Sequence, residues 1–262
     1  MLKEWLCWLE RDPSPYSEFR VIDVTEIQPP TDVVINHIRD LLIHARLDPK
    51  FLQDAAKYLG WDKVQALAAS SQPKGFRMRR GEFGEVLSSA MLQQFHGYTI
   101  PVQKLRFAIS SDQSLPGTDV IVLRLDSQRK ITEVGFVESK LRTGSDTGAA
   151  VQGYKQLKHD YEQQQSDMLH FVAQRLYERN DLLKDEFMKY MLDREDRRDR
   201  DSFQLFLIWE QPGWSETVLQ NLEDNDVELD RLTLHVTLVQ NLGQLTEKLF
   251  RSIGVDGAVD DE

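Results

Sequence analysis

One cysteine in 262 residues, Cys7, excludes an intramolecular disulfide and a cysteine-based zinc site. No apolar run approaches the ~18 residues of a membrane-spanning helix. The start, Met1-Leu-Lys-Glu-Trp5, lacks the long apolar stretch and small-residue cleavage site of a secretory signal, so a cytoplasmic protein with no membrane partner is expected. No Gly-x-x-x-x-Gly-Lys-Ser/Thr loop is present to cradle a nucleotide, which argues against ATP hydrolysis, and no Gly-x-Ser-x-Gly marks a serine hydrolase. The histidines at 37, 44, 96, 159, 170 and 235 show no metal-ligand spacing and read as packing or surface. No internal repeat or long low-complexity segment appears.

Basic charge is also scarce, with 32 Lys+Arg against 43 Asp+Glu and a net charge of −11. Taken whole, that argues against nucleic acid, because duplex binding is driven by cations on phosphates. The distribution is uneven, however. Residues 1–73 sum to −3, residues 74–160 to +4 and residues 161–262 to −12. The basic middle opens with Lys74, Arg77, Arg79 and Arg80, with no acid among them. As a bare pattern this is equally a solvated turn before a helix.

Periodicity predicts a mainly helical N-terminal extension over 1–73, suited to docking a partner. It contains a capped helix from Thr31 or Asp32, a second from Pro49 to Gly60 and a third over about 62–70. Ser70-Ser-Gln-Pro73 marks the boundary to a main domain, 74–253, followed by an acidic tail, 254–262. In the main domain a helix over 82–95 precedes expected strands at Tyr98–Ile109, 119–125 and 131–138. A Gly/Ser/Thr/Asp loop and a helix from about 149 to 165 follow. Further helix, strands at 203–209 and 232–238, and a closing helix complete an α/β core with a mixed central sheet flanked by helices.

The residues that carry chemistry are Glu85 on the first of those helices, Asp119 at a strand start, and Glu138-Ser139-Lys140 at the next strand's end. Strand positions two apart share a face, so Glu138 and Lys140 project together, and the hairpin sets Asp119 beside them. Gathered carboxylates are costly unless a cation neutralises them, and an oxygen-only set suits Mg²⁺, for which Mn²⁺ would substitute. Lys140 would orient an attacking water or act as its base. The triplet Asp/Glu-x-Lys occurs twice, and Asp48-Pro49-Lys50 is disqualified from a strand interior by its proline. The bland alternative is a surface ion pair closing a hairpin.

These residues resemble the PD-(D/E)XK nuclease superfamily: Pro116-Gly-Thr-Asp119, Glu138-Ser-Lys140, and Arg79-Arg-Gly-Glu82-Phe-Gly-Glu85 at a helix start. The resemblance implies a restriction-endonuclease-like core and metal-dependent hydrolysis of DNA phosphodiesters. Asp119, Glu138 and Glu85 would be metal ligands and Lys140 a catalytic residue, with Glu82 kept as an alternative to Glu85 on the same helix face. The helix after the Lys140 strand departs from the superfamily's Gln-x-x-x-Tyr, because Gln152 is followed four residues later by Gln156. A narrower similarity, in overall layout and in the Gly-Ala-Ala-Val-Gln-Gly-Tyr154 helix, is to HamA, the nuclease-subunit family of the Hachiman anti-phage defence system. It implies a DNA helicase as obligate partner. Arg77, Arg79, Arg80, Lys104, Arg106, Arg142, Gln152, Lys155 and Lys158 are then the candidates for DNA contact. The charged run Asp193–Asp201 reads as a solvated helix end or loop, or instead as a partner-docking segment or a gate. The competing reading is a non-catalytic adaptor on the same fold, tethering DNA to a partner.

Overall fold

Alternating β-branched residues and capped amphipathic runs build one sheet with helices on both faces. The computed structural model describes residues 1–113, 115–193 and 198–254. Most of the expected acidic tail, and positions 194–197 of the charged run, lie outside the described residues.

Strands β1 (Leu6–Glu10) and β2 (Arg20–Glu26) come first. Helix α1 (Asp32–Arg46) is capped by the Thr31 hydroxyl, which accepts from Val34 N. Helix α2 (Pro49–Leu59) is capped by Asp48 with proline in its first turn, and α3 (Trp61–Ser71) follows Gly60. These three helices lie where periodicity placed them. Helix α4 (Phe76–His96) leads to β3 (Val120–Leu125) and β4 (Ile131–Arg142). Helix α5 (Ala149–His159) passes through a π turn, 160–164, into α6 (Gln165–Glu178) and then α7 (Lys184–Leu192). Strand β5 (Asp201–Glu210), α8 (Thr217–Glu223), β6 (Leu232–Val239) and α9 (Leu242–Ser252) complete the order.

The sheet runs β1-β2-β6-β5-β4-β3, antiparallel at its two outer pairs and parallel at the three inner ones. One face packs Val137, Leu141, Phe206 and Ile208 against Phe83, Val86 and Leu87 of α4. The other packs Phe136, Leu205 and Leu207 against Ala150, Tyr154 and Leu157 of α5. β5 is buried along almost its whole length, as an inner parallel strand covered on both faces must be. Among the described residues, no helix is long and apolar enough to cross a membrane.

Two expectations need correction. The N-terminal segment is mainly helical, as expected, but it is not set apart at residue 73: β2 pairs in parallel with β6 from Arg20–Thr233 to Thr25–Leu238, so the first strands extend the central sheet. Tyr98–Ile109 is not a strand either. It contributes one bridge, Thr99 to Leu123, and a 3₁₀ turn at Lys104–Phe107. Pro101 has no N–H to give a ladder, and the spacing of the buried Val102 and Leu105 is that of a turn with three residues per repeat.

Candidate active site

β4 outlasts its hairpin partner. Pairing with β3 reaches Val120 opposite Val137, whereas pairing with β5 continues to Arg142 opposite Trp209. From Glu138 onward, one edge of β4 is therefore open to side chains. Glu138 and Lys140 share a face, with Lys140 Nζ 2.5 Å from Glu138 Oε1. Asp119 closes over the open edge, its Oδ2 accepting from Ser139 N at 2.9 Å and from Ser139 Oγ at 3.0 Å.

The turn that delivers Asp119 is built for the purpose. Gly117 sits at φ +87°, a left-handed conformation that suits glycine, and a Cβ there would lie 2.9 Å from Met168 Cγ. The buried Lys104 donates to the carbonyls of Gly117 at 2.6 Å and Thr118 at 2.8 Å, pinning the turn from beneath. On the other side, α4 approaches β4 at Gly84, where a Cβ would lie 3.3 Å from Ser139 Oγ. That approach carries the next residue, Glu85, up to the same carboxylates.

The electrostatics record this crowding. Burial pushes the Glu138 carboxyl up to about 8; Asp119 adds to the rise, Lys140 opposes it and Asp160 adds again. Burial also raises Glu85 well above the usual carboxylate range, Asp119 and Glu138 adding to it against the pull of Lys104 and Arg46. The bonds described use Glu138 Oε1 and Asp119 Oδ2, leaving Glu138 Oε2 and Asp119 Oδ1 uncommitted among the described residues.

Among the described residues, no group of three or more His, Cys, Asp or Glu side chains is placed to hold a metal. The donor set is two carboxylate oxygens beside a third acid. That set is too open for a closed protein cage, but it suits Mg²⁺, which takes one or two carboxylates and keeps several waters. It does not suit zinc, which wants imidazole or thiolate.

The other candidates divide. Glu82 is buried and held by Arg46, its Oε2 receiving Arg46 Nε at 3.1 Å, so of the two helix acids Glu85 is the one at the site. Arg79 is not exposed to DNA: fully buried, it donates to Pro73 O at 3.1 Å, pairs with Glu247 at 3.5 Å and lies over Phe250. Lys104 is likewise buried under the Asp119 turn. Arg106 is committed to His44 O and Asp48, and Lys158 to Glu228. Arg77 is exposed, and Arg80 stacks over Phe76 at 5.2 Å. Burial lowers Arg80, and the neighbouring Arg142 lowers it further. Arg142 itself is held by Asp146 at 2.6 Å. Gln152 and Lys155 are exposed on α5. One acid near the site escaped the sequence reading: Asp160, buried at the α5 end, in a stretch that reads simply as continuing helix.

Comparison with known proteins finds relatives of this chain. The Hachiman protein HamA of Bacillus cereus is 31% identical over 121 residues, which is 46% of this chain and 41% of that protein. The match thus spans about two fifths of the relative's length. A family model described as HamA matches residues 2–251. The sheet from β1 to β6 and the cluster at the open end of β4 all lie within that span, and the chain belongs to the HamA family.

Proposed function

We propose that this chain is a metal-dependent DNA endonuclease, the effector subunit of an anti-phage defence complex that includes a DNA helicase. The observation that carries the chemistry is the convergence of Glu138, Lys140, Asp119 and Glu85 at the unpaired end of β4. Asp119 and Glu138, assisted by Glu85, would hold Mg²⁺ or Mn²⁺. The bound cation supplies Lewis acidity toward a phosphoryl oxygen and a more acidic water. Lys140, half-buried and beside Glu138, orients the attacking water and handles its proton. Arg77, Arg80, Arg142, Gln152 and Lys155 lie on exposed or partly exposed surface and hold the sugar-phosphate backbone without reading bases. The relative's name supports the defence role. The helicase partner rests on the family resemblance, and the −12 C-terminal third offers it a surface that the chemistry does not use.

A supercoiled plasmid, with and without Mg²⁺ and with the co-expressed helicase, separates this reading from a silent DNA-tethering adaptor. Mg²⁺-dependent nicking that Glu138→Ala plus Lys140→Ala abolishes is expected. Nicking that survives the double substitution, or none under any partner condition, sinks the endonuclease reading.

A further inference from the structure

Asp160 is 1% exposed, yet its Oδ2 has no hydrogen-bond partner among the described residues. Its Oδ1 accepts from Gln156 Nε2 at 2.9 Å. Burying a carboxylate oxygen unpaired is costly, and such oxygens persist where a partner arrives in another state. The residue opens the π turn at 160–164, a local departure from α geometry that is frequent at functional sites.

The packing shows what lies beneath it. Helix α5 approaches closely at Gly153, where a Cβ would lie 3.2 Å from Lys140 Cγ and 2.7 Å from Leu205 Cδ1. Farther along, Tyr161 packs edge-on against Phe136 at 5.0 Å. Eight helical residues at ~1.5 Å each and four strand residues at ~3.3 Å each both span roughly 12–13 Å. The helix therefore runs antiparallel along β4, from Lys140 to Phe136, with Glu138 between. Helical side chains lean toward the helix N-terminus, and the bond to Gln156 shows that Asp160 does so. Its carboxylate thus lies over Glu138, and its charge is among those that raise the Glu138 carboxyl.

Lys140 is bonded to one acid, Glu138, and a second, Asp160, lies near enough to act on Glu138. Lys140 is bonded to Glu138 Oε1, but a cation bound by Glu138 competes for that carboxylate. An ammonium deprived of its partner in a half-buried site is costly unless another acid receives it. We propose that Asp160 is a positioning residue: when a divalent cation takes Glu138, the Lys140 ammonium moves from Glu138 Oε1 to Asp160 Oδ2 and so stays beside the reacting water. This rests on the metal-dependent reading above.

The test is a double-mutant cycle on Mg²⁺ binding, measured calorimetrically on the full chain without DNA. It compares wild type, Asp160→Asn, Lys140→Met and the double variant. Asp160→Asn should weaken Mg²⁺ binding about tenfold in the wild-type background and less than about twofold beside Lys140→Met. Equal losses in both backgrounds would mean that Asp160 acts on the cation directly, and no loss in the wild-type background would mean that it is not engaged; either overturns the proposal. Asparagine keeps the Oδ1 that Gln156 uses, so the metal-free melting temperature should hold; a large drop would make Asp160 a structural residue and overturn the proposal as well. Wild type that binds no Mg²⁺ defeats the metal-dependent reading itself, an outcome distinct from additivity in the cycle.

Discussion

Arg46→Met removes the buried cation that neutralises Glu82. In the folded protein Arg46 reaches both oxygens of Glu82, and it also donates to Ser110 O at 3.1 Å and Ser111 O at 2.6 Å. Both side chains are almost fully buried, at 5% and 3% exposed. Breaking a buried pair and stranding its acid costs about 3–5 kcal/mol, and each lost carbonyl bond adds roughly 1 kcal/mol. A loss of about 5–7 kcal/mol is a large share of the ~5–15 kcal/mol that holds a protein folded. At roughly 2–4 °C per kcal/mol for a chain of this size, the melting temperature should fall by about 10–28 °C. Arg46→Met with Glu82→Leu replaces the pair by apolar groups and should recover most of that loss. Thermal denaturation followed by circular dichroism reads the stability, and plasmid nicking at a permissive temperature reads the site. If Glu82 were a metal ligand, the double variant would be stable but inactive. A double variant that nicks, beside a folded but inactive Glu85→Gln, supports the assignment of Glu85. A fall of less than about 3 °C for Arg46→Met would refute the reasoning, because a clamp so buried cannot be so cheap.

Two further outcomes are expected. In metal-free protein, Glu138 titrates at about 8 against an ordinary 4.5, so the folded state holds the extra proton between those values. That contribution is fully present below about 4.5 and is lost as pH rises through about 8. Burial lowers His96 to about 4 and lowers His235 as well, which gives the opposite slope, but only below about 6.5. From about pH 6.5 to 8 the wild-type melting temperature should therefore fall more steeply than that of Glu138→Gln, and parallel curves would contradict the assignment. On the surface, Arg80→Ala and Arg142→Ala should each lower the salt dependence of DNA binding by about one unit of slope while leaving the fold intact. Arg79→Ala should instead destabilise the protein. Filter binding across a salt series, with melting curves, distinguishes them, and a stable Arg79→Ala with weakened binding would reverse that placement.

How far the site could be read beforehand depended on the range of the interactions that build it. Glu138, Lys140 and Asp119 were legible because strand alternation and a hairpin fix neighbours within about twenty residues of each other. Glu85 needed only the packing of the preceding helix. Arg79 and Arg80 are adjacent in sequence and alike in charge, but one is sealed against Glu247 and Phe250 while the other reaches the surface. Nothing local distinguishes them. The strand β2 carried a signal in Arg-Val-Ile-Asp-Val-Thr-Glu26, yet its partner β6 lies more than 200 residues away.

The sequence by itself determined the chemistry available: an all-oxygen acidic set with a lysine, in a basic segment of an otherwise acidic chain. It determined the capped helices and the alternating hairpin too, because capping and alternation are written in neighbouring residues. Tertiary structure alone decided which charges are spent internally. Arg46 neutralises Glu82, Lys104 supports the Asp119 turn, and Asp160 comes to lie over Glu138. Each depends on burial, which removes water as an alternative partner and leaves only the groups that the fold brings alongside.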